Sequence, residues 1–165
     1  HAADVRPNKR IDTKISTPLF HLPLGTIPGK ERTVVALPQR NLLRHVTWGL
    51  PSGQSIARHI GVPALSKADL SELGEFGHGL DESTPLWYYI LKESQVMEEG
   101  LRLGPVGGRI VAEVIIGLLQ LDRDSYLGTP TWRPSLPRRN GQVSGDFRMI
   151  DFLTFAGVDP TSRGQ

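Results

Sequence analysis

Between Pro105 and Leu121 the chain carries apolar residues on nearly every side of a helix. Val106, Ile110, Val111, Val114, Ile115, Leu118 and Leu119 fall at helical spacing yet cover most of the circumference. A helix that is apolar all round belongs at the centre of a core, so this segment asks the rest of the chain to fold around it. Proline suits its first position, where the backbone N–H has no intrahelical partner anyway. Arg109 and Glu113, one turn apart, are spaced to pair on the remaining face. The most apolar part, Ile110 to Leu121, is interrupted by Glu113 and Gln120 and is too short to span a bilayer.

The other elements follow from proline and glycine punctuation. The first 37 residues show no sustained period; Pro7, Pro18, Pro23 and Pro28 recur with Gly25 and Gly29 between them. This reads as an extended arm, residues 1–37, on a surface. Its Leu19, Phe20, Leu22 and Leu24 want burial, so the arm should pack against something. A first helix is expected from Pro38 to Trp48, stopped by Gly49 and Pro51. A second starts after Ser52 and ends at Gly61. Ser66 is the expected N-cap of a third, Lys67 to Leu73, followed by a loop from Gly74 to Gly79. Ser83-Thr84-Pro85 reads as a cap followed by proline at the first position of a fourth helix, which reaches Glu99. Thr129 to Gly145 is a Pro/Gly-rich basic loop, and Met149 to Ala156 is a last helix closed by Gly157. The expected fold is all-α, with a helical region over 38–158 and a polar tail over 159–165.

Composition narrows the chemistry. Cysteine is absent, which excludes disulfides and thiol catalysis. Nineteen basic and 17 acidic side chains give a net charge of +2. The only local basic clusters are Lys9-Arg10 and Arg138-Arg139, too short for a nucleic-acid footprint. No histidine pair has helical metal-site spacing; His45 and His59 read as surface or partly buried residues, and His78 as a loop residue. Gly104-x-x-Gly107-Gly108 has no preceding strand, so helix start and close packing explain it better than a phosphate cradle. Trp87-Tyr88-Tyr89 reads as core with one ring turned outward. The compartment stays open, a secreted one included.

Asn41 and Arg44 stand three apart on the first helix and share a face. Asparagine is a mediocre interior helix residue, its carbonyl accepts a strong hydrogen bond, and a guanidinium binds anions bidentately. One surface amide beside one solvated arginine is the plain alternative.

Arg40-Asn41-Leu42-Leu43-Arg44 followed by Gly49-Leu50-Pro51-Ser52-Gly53-Gln54 resembles the segment after the proximal histidine in animal-type heme peroxidases. Leu103-Gly104-Pro105-Val106 and Leu121 to Tyr126 resemble that family's late core helix and its following turn. Arg40 to Gln54, Thr84 to Lys92 and Leu103 to Glu113 are most similar to a bacterial branch. The resemblance runs from about Lys9 to Val158. It implies that Asn41 accepts a hydrogen bond from a proximal histidine and that Arg44 lies by a heme propionate. The family's basic-acidic-histidine run is replaced here by His45-Val46-Thr47-Trp48.

The resemblance implies heme as cofactor, and a reaction in which peroxide oxidises the iron and an unidentified donor reduces it. The family's proximal histidine, distal histidine, distal arginine and calcium loop lie upstream of the asparagine segment, and no matching pattern occurs here. The chain is therefore expected to be the C-terminal part of such an enzyme, inactive alone, partnered by an upstream half or by itself. The alternative is a stand-alone helical binding module that kept the scaffold and lost the catalysis. In either case some apolar surface should be exposed.

Overall fold

The computed structural model describes residues 9–27, 34–136 and 147–158. The start of the arm, the Arg138-Arg139 cluster, the second half of the basic loop and the polar tail lie outside the described residues. Within them the fold is all-α. Its helices are α1 (Leu37–Thr47), α2 (Gly53–His59), the single turn α3 (Ser71–Gly74), α4 (Leu86–Met97), α5 (Pro105–Leu121) and α6 (Met149–Phe155), with no strand. The chain divides into two compact units, and the boundary falls within α5, between Glu113 and Val114.

The first unit, from Arg10 to Glu113, is built around Tyr89. Its ring is fully buried with Ala57, Leu65, Leu70, Leu73 and Val106, and Ile56, Leu86, Ile90 and Ile110 pack around them. Burial of the leucines and Val106 contributes about 1.5–3 kcal/mol each. Tyr89 meets α2 at Gly53, where a Cβ would land inside the ring. Its hydroxyl accepts from the Leu65 N–H at 2.9 Å, so the buried polar end is satisfied. A polar knot lies alongside. Gln54 donates to Thr84 Oγ1 at 2.8 Å and to the Asp81 carbonyl at 3.0 Å, and the Thr84 N–H donates back to Gln54 Oε1.

That knot corrects the expected start of the fourth helix. Thr84 Oγ1 donates to the Leu80 carbonyl at 2.7 Å and does not cap α4, and Pro85 is itself the N-cap residue. The third helix also differs. Ser66 is the expected cap, but the N-cap of α3 is Leu70; Ser66 and Asp69 instead close a turn on each other, with Ser66 N to Asp69 Oδ2 at 2.8 Å and Asp69 N to Ser66 Oγ at 3.2 Å. Residues 67–70 form a turn, and only α3 is helical. The burial of Leu65, Leu70 and Leu73 against Tyr89 outweighs continuous helix there. α2 starts after Ser52 as expected, and Ser52 caps it, accepting from the Ser55 N–H at 3.3 Å.

The arm packs, but it is not simply extended. Prolines help set 3-10 turns at Thr17–Phe20 and Leu24–Thr26. Ile11 N donates to the Gly100 carbonyl at 2.8 Å, the Arg10 guanidinium to the Glu99 carbonyl at 2.9 Å, and Leu22 N to the Val35 carbonyl. Gly100, at φ +71°, lies flush against Arg10 and Ile11, where a Cβ would collide. Leu19, Phe20 and Leu24 remain exposed.

In the second unit, described over 114–136 and 147–158 with Lys9, no hydrophobic residue is buried among the described residues. Ser125 donates to the Leu119 carbonyl at 2.5 Å, closing the turn after α5. Gly157, at φ +75°, ends α6. Val114, Leu118 and Leu121 are 58%, 64% and 83% exposed. This overturns the expectation that α5 is central in a core: only its first turn, at Val106 and Gly107, is buried. An apolar pattern records which sides favour burial, and the described residues supply partners only at the N-terminal end. Arg109 and Glu113 pair at 2.5 Å as expected.

Candidate functional site

The segment from Arg40 to Gly49 forms α1 and its exit turn. α1 starts on Leu37-Pro38, a proline position that forfeits no hydrogen bond, and Gly49, at φ +59°, lets the chain leave after Trp48. Asn41 is half-buried on α1, and its side chain makes no hydrogen bond among the described residues. Arg44 is exposed, and its guanidinium lies 5.7 Å over the Trp48 ring. No carboxylate pairs with Arg44 among the described residues. A cation–π contact of this kind holds the guanidinium in place while leaving its donors available to an anion. The two predicted site residues therefore come together on one helix, as their spacing requires.

His45 carries a role that sequence reasoning missed. Its Nδ1 accepts from the Leu86 N–H at 3.4 Å, so α1 caps α4. The polar knot had removed Thr84 from that task. No local signal could have revealed this, since the partners are 41 positions apart.

Glu93 was missed for the same reason. It is fully buried, and its carboxylate accepts from the Val106 N–H at 3.0 Å and the Gly107 N–H at 3.1 Å, at the start of α5. Burial pushes its carboxyl up, and the backbone donors at the positive helix end oppose that shift. Gly104 is required beside it, because a Cβ there would overlap the carboxylate.

Glu72, Tyr88 and Lys92 form a third cluster. Tyr88 Oη donates to Glu72 Oε1 at 2.7 Å, and Lys92 Nζ pairs with the same oxygen at 2.7 Å. Burial, then the hydrogen bond to Glu72, pushes the Tyr88 hydroxyl up to about 12. Burial opposes ionisation of Glu72, but the bonds from Lys92 and Tyr88 outweigh it and hold the carboxyl below its ordinary value. A phenol this hard to ionise is a poor proton donor and is not present as phenolate near neutral pH, so this cluster pins structure and poises neither an acid nor a base.

In the second unit, Tyr126, Leu127, Thr129, Pro130, Trp132, Arg133 and Pro134 line a shallow cleft of about 390 Å³. The Tyr126 and Trp132 rings stand 5.8 Å apart, and Arg133 is engaged with the Pro130 and Trp132 carbonyls. Among the described residues, no group of three or more His, Asp or Glu side chains is arranged to hold a metal ion. No helix among them is long and apolar enough to cross a membrane.

No protein-family model, no curated protein and no solved structure matches the chain.

Proposed function

We propose that this chain is the C-terminal portion of a heme-dependent peroxidase and provides support on the proximal side of the cofactor. The observation that carries this reading is the pair on α1: a half-buried amide with no hydrogen bond among the described residues, one turn from a guanidinium with no carboxylate partner. The chemistry of both groups suits a heme edge. The Asn41 carbonyl would accept the N–H of an iron-ligating imidazole, fixing the ring and raising its basicity. Arg44 would pair with a propionate, a planar match of fork to carboxylate. Heme, when bound, would supply the redox-active iron. The other residues of this chain hold α1 in place: His45 ties it to α4, and Arg40 ties it to the Val34 carbonyl at 3.3 Å.

The chain alone is expected to bind hemin weakly and to show no donor oxidation with peroxide. Optical titration with hemin, followed by a donor-oxidation assay, tests this. A sharp Soret band with rapid turnover would contradict it.

A second reading, a helical binding module without catalysis, is favoured by the exposed apolar side chains of α5. The upstream coding sequence separates the two. A reading frame that continues into histidine-bearing peroxidase motifs supports the enzyme portion, and a start codon near His1 supports the module.

A further inference from the structure

We propose that the cleft after α5, in the second unit, binds a proline-rich peptide in the extended polyproline form. Two consecutive turns build its wall. Gly128 N donates to the Ser125 carbonyl at 3.0 Å, Thr129 N to the Tyr126 carbonyl at 3.1 Å and Trp132 N to the Thr129 carbonyl at 2.9 Å. Arg133 ties the second turn, its Nη1 donating to the Pro130 and Trp132 carbonyls at 2.9 and 2.7 Å. Gly128 lies against the Arg123 carbonyl, which would stand only 2.9 Å from a Cβ there. Pro130 and Pro134 fix φ on either side of Trp132. The lining is therefore set before a ligand arrives, which lowers the ordering cost of binding.

The lining selects the ligand class. The Tyr126 and Trp132 rings stand 5.8 Å apart at 46°, in contact with each other, so nothing inserts between them. They are 53% and 51% exposed, and that open surface offers apolar area to whatever lies across it. The polar side-chain groups of the lining are hydroxyls, an indole N–H and a guanidinium, with no carboxylate or amide among them. Tyr126 Oη and the Trp132 indole N–H make no hydrogen bond among the described residues, and neither do Nε and Nη2 of Arg133. Such a surface is matched by apolar rings alternating with bare acceptors. A polyproline helix carries both. Its rings pack on aromatic walls, its carbonyls have no internal partner, and its prolines have no N–H in need of an acceptor. An oligosaccharide also stacks on aromatic rings, but its hydroxyls seek carboxylate and amide acceptors, which this lining lacks. The cleft volume, about 390 Å³, lies at the small end of ligand sites and suits a short stretch of chain. The cleft lies wholly within the second unit, so the site does not depend on heme.

The test titrates the full chain with decaproline, with a glycine–serine peptide of equal length and with cellohexaose. The indole N–H signals are followed by NMR, and Trp132→Phe identifies the Trp132 signal by removing it. Decaproline should shift that signal to saturation while those of Trp48 and Trp87 stay in place, and the other two probes should leave all of them unmoved. Decaproline affinity, measured by calorimetry, should fall about tenfold in Trp132→Ala, as for an aromatic anchor. It should fall about threefold in Tyr126→Phe, which keeps the ring and loses only a hydroxyl. Tyr126→Phe carries the test even where Trp132→Ala disturbs the turn. The proposal is wrong if decaproline leaves the Trp132 signal in place, or if the glycine–serine peptide or the sugar moves it as far. It is equally wrong if both variants bind decaproline as the wild type does.

Discussion

At Gly53, a missing methyl group decides how closely two helices approach. The Tyr89 ring occupies the space a Cβ would take, so Gly53→Ala should cost about 1–3 kcal/mol or more through overpacking. Gly117, with open space around it in α5, is the contrasting case: Gly117→Ala should be neutral or stabilising by about 0.5–1 kcal/mol. Urea unfolding of both variants checks the pair. Glu93→Ala should leave the Val106 and Gly107 N–H groups without their acceptor, at about 1–3 kcal/mol for each buried group. Tyr88 sets an alkaline limit. Its folded pKa, about 12, lies above the ordinary tyrosine value of about 10. Its contribution is thus fully present below the unfolded value and is lost as pH rises through the folded one. Absorbance titration of phenolate should show a step near pH 12 that Tyr88→Phe removes, with buried Tyr89 also raised above its ordinary value; three ordinary transitions would contradict the cluster. The shared face of Asn41 and Arg44 was legible from spacing, because a helix converts a separation of three into adjacency. His45 and Glu93 were not, because their partners come from distant elements and only tertiary packing names them.

Among the elements, punctuation was legible and burial was not. Proline at the start of α1 and α5 and glycine just past the end of α1, α2 and α6 located these helices to within a residue or two. Those residues act through local backbone geometry, which the sequence carries in full. Thr84 misled because a cap and a buried network compete for the same hydroxyl, and the network won. The third helix broke because three leucines were drawn into one core. The apolar circumference of α5 was read correctly as a pattern and wrongly as a location. Its consequence is measurable. Leu70→Ala, in the filled core of the first unit, should cost about 2–5 kcal/mol. Leu118→Ser, on an exposed side of α5, should change the stability of that unit by no more than about 0.5 kcal/mol. Equal losses from the two substitutions, measured by denaturant unfolding, would show that α5 is buried in solution.

For the whole molecule, one unit has a satisfied core and the other buries no hydrophobic residue among the described residues. The all-α class was legible from periodicity alone, and the exposed apolar surface follows the expectation drawn from an apolar helix without a full set of neighbours. The role proposed for that scaffold rests on Asn41 and Arg44. Optical titration of the chain with hemin in the presence of free imidazole tests it most directly, the imidazole standing in for an iron-ligating histidine. The account predicts that Asn41→Ala and Arg44→Ala each weaken binding of the imidazole–hemin complex about tenfold, the lower end of the cost of losing a group that orients a metal ligand. Identical binding by the wild type and both variants would contradict it.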